Sequence, residues 1–284
     1  MDIHLVQMAI ARGKPGLNRA KVQALTAGLS GQNSAKPSLI VLPELFSTGY
    51  LDESALQSDG ADVIPSAFEK ASDLAQVARE DRIFLTTLAV KLGCWVAGTT
   101  VEAGPPGADG SGGYRNLSLL FSPEGSETSV YRKVHPFSYG GEDRIFAKGN
   151  EIVTADIEDW VVQPSICYDL RFPELYRVGS QRGVHLILVQ ANWPLPRHAH
   201  WETLLRARAI ENQAYVAGVN CTGAQESLVF AGGSTLISPK GDILALGDET
   251  ECLVRGKADL DFCKQWRKQF PALRDRMDWD FYKP

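Results

Sequence analysis

No stretch of this 284-residue chain approaches the run of about 18 apolar residues that a membrane span needs, so no membrane partner is expected. The first residues, MDIHLVQMAI, lack a basic leading region and a small-residue cleavage site, and they read as a first strand of a cytoplasmic protein. Basic stripes are missing too. Lys and Arg are scattered and the formal net charge is −5, which argues against nucleic acid as a partner. The five cysteines, Cys94, Cys167, Cys221, Cys252 and Cys263, are an odd number with no C-x-x-C spacing, so neither a disulfide framework nor a structural zinc cage is expected. Each is a free thiol. Most free thiols are small buried hydrophobes, so a chemical role for any of them needs local support.

What is present is 44% hydrophobic and 22% charged residues, enough for one large domain or two small ones with a buried core. Strand-length apolar runs alternate with amphipathic segments, and no internal repeat appears. Strands are expected at Ile3–Ile10, Leu39–Leu42, Ile83–Ala89, Trp95–Glu102, Asn116–Phe121 and Ser129–Val134, and later at Val161–Ile166, Leu186–Val189, Tyr215–Asn220, Leu236–Ile237 and Ile243–Leu246. Helices are expected from about Asn18, with Val22, Leu25 and Leu29 on one face, and from Pro65 to about Asp81, with Phe68, Leu74, Ala75 and Ala78 inward. Three more fall at Pro173–Gln181, Ala199–Gln213 and Asp261–Phe270. Five glycines and two prolines mark Ala103–Gly113 as a surface turn. This is an α/β pattern, and several consecutive strands point to mixed sheets. Two face-to-face sheets with outer helices, or one doubly wound sheet, both satisfy it.

Three residues at expected strand ends carry candidate chemistry. Cys167, in Pro-Ser-Ile-Cys-Tyr-Asp-Leu-Arg-Phe-Pro-Glu, sits between an apolar strand and a proline-started helix, where a side chain is exposed and backbone N–H groups converge. Glu44 follows Leu-Ile-Val-Leu-Pro among Phe, Tyr and Leu, a setting that raises a carboxyl group toward the range of a general base. Lys133, in Tyr-Arg-Lys-Val-His, would on its own read as a solvated edge charge. Together the three supply a thiol, a base and a cation for a developing oxyanion.

These segments, Leu-Pro-Glu, Tyr-Arg-Lys-Val-His and Cys-Tyr-Asp-Leu-Arg-Phe-Pro-Glu-Leu, resemble in order the three signatures of the nitrilase superfamily. The resemblance extends to residues 141–149, Asn-Trp-Pro at 192–194, and residues 204–213. It implies a single carbon–nitrogen hydrolase domain over 1–284, built as a four-layer α-β-β-α sandwich of two mixed sheets with outer helices. It also implies a homodimer or higher homo-oligomer, with residues from about 258 to 284 in subunit contacts. Glu44 is then the base, Lys133 the oxyanion cation, Cys167 the nucleophile, and the backbone N–H of Tyr168 a second oxyanion donor. Glu142 matches a second glutamate that positions the lysine. No cofactor and no metal is implied.

Within the superfamily the segments look most like the ω-amidase branch, whose small-molecule substrates, 2-oxoglutaramate or 2-oxosuccinamate, carry a carboxylate far from the amide. Arg171 is the expected anchor for it, with an ion pair to Glu174 as the structural alternative. Asn192 and Trp193 are expected to line the pocket mouth, and Trp193 suits packing equally well. An aliphatic amidase, an amidase of the N-carbamoyl or deaminated-glutathione type, and a non-catalytic binding subunit remain as alternatives. A Cys–His hydrolase would draw on His135, His185, His198 or His200. His198, His200 and Glu202 make a poor metal set, since a spacing of two does not stack ligands on one helical face.

Overall fold

The computed structural model describes residues 1–30, 36–51, 56–59, 62–65, 71–104, 112–225 and 227–277. The chain opens with β1 (Asp2–Gln7), α1 (Pro15–Thr26), β2 (Ser38–Val41), β3 (Leu56–Asp59), β4 (Asp62–Pro65) and α2 (Ala71–Leu92). It continues through β5 (Trp95–Ala103), β6 (Tyr114–Phe121), β7 (Glu127–Arg132), β8 (Ala155–Ile157), β9 (Trp160–Ile166), α3 (Pro173–Gln181) and β10 (Leu186–Ala191). The last third holds α4 (His198–Asn212), β11 (Tyr215–Asn220), β12 (Thr222–Gln225), β13 (Leu228–Ala231), β14 (Thr235–Ile237), β15 (Ile243–Leu246), β16 (Cys252–Lys257) and α5 (Leu260–Gln269).

Two six-stranded mixed sheets carry the architecture, ordered β16-β1-β2-β5-β6-β7 and β15-β14-β11-β10-β9-β8. Each has three parallel strands at its centre, β1-β2-β5 in one and β9-β10-β11 in the other, flanked by antiparallel edges. Both faces of the central strands are covered, which is why their sequences are continuous apolar runs and not alternating ones. In β2, Leu39 and Val41 enter the core between the sheets, while Ile40 packs against the helix layer with Leu85 and Leu88 of α2. In β10, Leu186 and Leu188 face the inter-sheet core, and Ile187 and Val189 face Trp201 and Leu205 of α4. The layers are therefore α-β-β-α, as the family resemblance implies. Gly218 of β11 lets α4 lie close, because a Cβ there would stand 2.6 Å from a methyl of Leu205.

Three expectations are corrected. Ile83–Ala89 is not a strand; it is the second half of α2, where Leu85, Leu88, Ala89 and Leu92 are buried at helical spacing and Ile83 is exposed. Pro65 does not open this helix, since it is the last residue of β4 and the helix begins at Ala71. Phe68 lies outside the described residues. Ala75 is half-buried, whereas Leu74 and Ala78 are buried as expected. Strands β3, β4, β8, β12, β13 and β16 are further strands not expected from the sequence. Most are short and mix polar with apolar residues, while β13, Leu-Val-Phe-Ala, is an apolar run too short to stand out beside the loops around it. Of the glycine-rich turn, residues 105–111 lie outside the description, but Gly104 N–H donates to Gly113 O at 2.7 Å and closes its base.

The C-terminal helix α5 is docked on its own chain, with Cys263 buried and Arg267 donating from Nε to Gln213 O at 2.9 Å. No described helix is long and apolar enough to cross a membrane.

Candidate active site

Glu44 stands just past the carboxyl end of β2, in a turn whose next residue, Leu45, takes the left-handed conformation (φ 45°). Thr99 of β5 fastens the turn by donating to Pro43 O at 2.9 Å. The Glu44 carboxylate is fully buried. Its Oε1 accepts from Lys133 Nζ and from Asn116 Nδ2 of β6, both at 2.8 Å, and its Oε2 accepts from Asn192 N–H at 3.0 Å.

Lys133 follows β7 directly, and its backbone N–H still donates to Asn116 O, so the chain leaves the sheet with the side chain turned inward. Only 1% of that side chain is exposed, which overturns the bland reading of an edge charge. Nζ bridges Glu44 Oε1 at 2.8 Å and Glu142 Oε2 at 2.7 Å. Burial works against the ammonium, but the carboxylates of Glu142 and Glu44 outweigh it and hold its pKa well above the ordinary lysine value. Lys133 is therefore a fixed cation.

Glu142 opens a one-turn 3-10 helix, Glu142–Arg144, after Gly141 (φ 75°) reverses the chain. It is buried, so a solvated loop carboxylate does not describe it. Its Oε2 also accepts Phe137 N–H at 2.9 Å, and burial pushes its pKa up against the pull of Lys133.

Cys167 is the first residue after β9 and begins the 3-10 turn Cys167–Arg171 with φ of 46°. A non-glycine residue held there is strained, and such strain persists only where the surroundings over-determine it. Asp169 does much of that work. Its Oδ2 accepts Ile166 N–H and the Tyr131 hydroxyl, and its Oδ1 accepts His135 N–H at 3.0 Å, tying the Cys167 turn to the segment carrying Lys133. Sγ donates to Asn192 O at 3.8 Å, and the charge of the Glu44 carboxylate bears directly on the thiol. Burial and the Glu44 charge push the thiol pKa well above its ordinary value, although Lys133 pulls the other way. A thiol shifted this way rests protonated, and would need a base in order to act as a nucleophile.

Over Cys167 opens a cavity of about 180 Å³. Tyr168, Arg171, Asn192 and Trp193 all line it. The Tyr168 N–H belongs to the first turn of its 3-10 helix, where N–H groups have no acceptor inside the helix. Asn192 donates from Nδ2 to Glu44 O at 2.9 Å, and its buried Oδ1 has no protein partner among the described residues. Trp193 both packs and lines the pocket: it is 2% exposed, its ring lies 5.7 Å from that of Trp201, and its indole N–H donates to Arg197 O at 2.7 Å.

Arg171 does not pair with Glu174, and no carboxylate among the described residues lies within ion-pair distance of it. Its guanidinium carbon sits 4.7 Å from the Trp193 ring centre and 5.8 Å from that of Tyr168. The histidines are engaged elsewhere. His135 Nδ1 lies 2.9 Å from Asp169 Oδ1, His200 Nδ1 is 3.3 Å from Arg171 Nη1, His198 lies 3.6 Å from Glu202, and His185 accepts Val161 N–H. Among the described residues no three His, Cys, Asp or Glu side chains are grouped to hold a metal.

The sequence reading missed Asn116, Asp169 and Arg197. Asp169 stands in the same segment as Cys167, and an acidic residue at the third position of a tight turn is the signal for a carboxylate that reaches back to the N–H ahead of the turn, here Ile166. Asn116 and Arg197 lie in a plain strand and a plain turn and carry no such signal.

A model of the family described as carbon–nitrogen hydrolase matches residues 3–268 of the chain. A 2-oxoglutaramate amidase of Paenarthrobacter nicotinovorans is 34% identical over 262 residues, 90% of this chain and 82% of that protein. A 2-oxoglutaramate amidase of Bacillus subtilis is 33% identical over 277 residues, 96% of each chain. Among solved structures, the CN-hydrolase superfamily protein XC1258 of Xanthomonas campestris, with an arsenic adduct in its active site, superposes with a TM-score of 0.80 at 30% identity, covering 98% of both chains.

Proposed function

The chain belongs to the carbon–nitrogen hydrolase family and is a hydrolase acting on amides, and from that premise we propose that it is a thiol amidohydrolase of the ω-amidase type, releasing ammonia from a small carboxylate-bearing amide such as 2-oxoglutaramate or 2-oxosuccinamate. The observation that carries the mechanism is the buried chain Glu44–Lys133–Glu142 lying against a protonated Cys167. Glu44 takes the thiol proton as sulfur attacks the amide carbon. The oxyanion that forms is held by the Lys133 ammonium and the Tyr168 N–H, donors of a kind that each lower a barrier by about 3–4 kcal/mol. Collapse breaks the C–N bond, Glu44 returns the proton to the leaving nitrogen, and ammonia departs from a Cys167 thioester. Glu44 then takes a proton from water as the water oxygen attacks the thioester, and hands it to sulfur as the C–S bond breaks and the acid leaves. Glu142 keeps Lys133 aimed between the two carboxylates.

For the substrate, support comes from the names of the two amidase relatives and from Arg171, a cation lining the cavity that meets no carboxylate among the described residues. The test is a panel of amides assayed for ammonia: 2-oxoglutaramate, glutamine, propionamide and an N-carbamoyl amino acid. Turnover of 2-oxoglutaramate is expected to exceed the others by at least about tenfold in kcat/KM. Faster hydrolysis of propionamide would replace this reading with an aliphatic amidase.

The protein is further proposed to act in the cytoplasm as a homodimer or higher homo-oligomer. Ile210 of α4 and Ile243 and Leu246 of β15 are exposed and line one groove, an apolar surface suited to another copy. Sedimentation equilibrium checks this, and a monomer at micromolar concentration would reject it.

A further inference from the structure

The cavity over Cys167 holds a second guanidinium, which the mechanism does not use. Arg197 closes the 3-10 turn Leu195–Arg197 ahead of α4, and its side chain lines the same cavity as Cys167 and Arg171. Its guanidinium carbon stands 5.3 Å from the Phe137 ring centre and 6.0 Å from that of Tyr139. Trp193 joins the two arginines, giving Arg171 a ring to lie over and fixing the Arg197 turn through its indole N–H. Elsewhere Arg19, Arg132, Arg177 and Arg208 meet carboxylates at 2.8 to 3.6 Å. Among the described residues neither Arg171 nor Arg197 meets one. A guanidinium resting over an aromatic ring keeps the N–H donors at its edge for a ligand.

We propose that Arg171 and Arg197 form one subsite with two cations, and that it reads the far end of the substrate as a 2-oxo carboxylate. This rests on the amidase reading above. A single carboxylate satisfies one guanidinium fork. The second fork asks for a second acceptor on the adjacent carbon, which a keto oxygen supplies and a methylene does not. An amino group at that carbon would bring an ammonium between two guanidiniums. Among the described residues the one carboxylate lining the cavity, Glu142, is already held by Lys133 and Phe137 N–H, so the subsite rejects α-amino acids by like charge.

Three amides of the same length separate these features: 2-oxoglutaramate, glutaramate, which lacks the oxo group, and glutamine. Ammonia release is measured for the wild type and for Arg197→Gln and Arg197→Lys. The wild type should prefer 2-oxoglutaramate over glutaramate by at least about tenfold in kcat/KM. In Arg197→Gln that ratio should fall to within about twofold of one, mainly through a higher KM for 2-oxoglutaramate. Arg197→Lys should fall between, and it decides the matter if the glutamine variant does not fold. An unchanged ratio in the variants, with the wild-type preference intact, overturns the role of Arg197 and leaves the amidase reading standing. A wild type that hydrolyses butyramide and none of the three carboxylate-bearing amides overturns both.

Discussion

Two buried carboxylate clusters sit within a few residues of each other along the first sheet, and they are built to opposite ends. In one, Asp81 of α2 accepts Arg19 Nε at 3.0 Å on Oδ1, and the hydroxyls of Ser47 and Thr100 at 2.6 and 2.8 Å on Oδ2. Both oxygens are matched, and the cluster pins α1, α2 and the turn after Glu44 into one piece. In the other, Glu44, Lys133 and Glu142 are bonded as tightly, yet they stand at a cavity with a thiol in a strained backbone conformation and a buried amide oxygen on Asn192 that has no partner among the described residues. Burial and ion pairing alone do not distinguish a site from a strut. What distinguishes this one is an open cavity over the thiol, two cations on its wall that meet no carboxylate among the described residues, and strain that the surroundings maintain.

The contrast is broken most directly at sulfur. Cys167→Ala should lower ammonia release by at least about 1,000-fold, since in the proposed mechanism the Cys167 sulfur carries the acyl group. The melting temperature should stay within about 4 °C of wild type, because the thiol's bond to Asn192 O is long and the truncation removes only the sulfur. Substantial turnover by this variant would end the mechanism. Lys133→Ala should lower turnover by about 100-fold to 1,000-fold through loss of an oxyanion donor. It should also destabilise by about 3–5 kcal/mol, because two buried carboxylates are left facing each other without a cation. Urea unfolding alongside the assay separates the two losses. Asp81→Ala is the counterpart, with a similar stability loss of about 3–5 kcal/mol from stranding Arg19, Ser47 and Thr100. In the protein that remains folded, kcat/KM should change by less than about fivefold, within the range of indirect positioning effects. If it instead falls as far as in Lys133→Ala, the two clusters are one functional unit and the contrast fails.

The same cluster explains where sequence reading failed. The buried stripe of α2 runs Leu74, Val77, Ala78, Asp81, Leu85, Leu88, Ala89 and Leu92, an unbroken helical period only if Asp81 counts as an inward residue. A carboxylate reads as a solvent-facing stop, so the helical period breaks at Asp81 in the sequence, and Ile-Phe-Leu-Thr-Thr-Leu-Ala, with its β-branched and aromatic residues, reads as a strand. The central strands were legible because both of their faces are buried and their apolar runs are continuous. Strand β16 was not, because Cys-Leu-Val-Arg-Gly-Lys is half-buried at an edge and is held by pairing with β1 more than by its own pattern. At the site, Glu44, Lys133, Glu142 and Cys167 were found through matching segments, and the structure brings them together. Arg197 was not found, because a lone arginine in a proline-flanked turn looks like any surface residue until the fold sets it beside Phe137 and the cavity.

The smallest expected effect extends the contrast to acid. His185 belongs to neither cluster. Its Nδ1 accepts Val161 N–H at 3.1 Å, its ring stands edge-on to Trp160, and burial together with the charges of Arg267 and Lys264 lowers its pKa from 6.5 to about 4. Between those values the unfolded chain takes up a proton that the folded chain refuses. The contribution of His185 is therefore fully present above pH 6.5 and is lost as pH falls toward about 4. Asp81 works with the opposite sign. Burial raises its pKa, so its contribution is present at low pH and is lost as pH rises through the folded value. His185→Gln can still accept the Val161 N–H and does not titrate, so urea midpoints at pH 7 and pH 5 should differ less in this variant than in wild type. Equal differences would show that acid acts on this fold through other groups, with the carboxylates of the two clusters next to be tested.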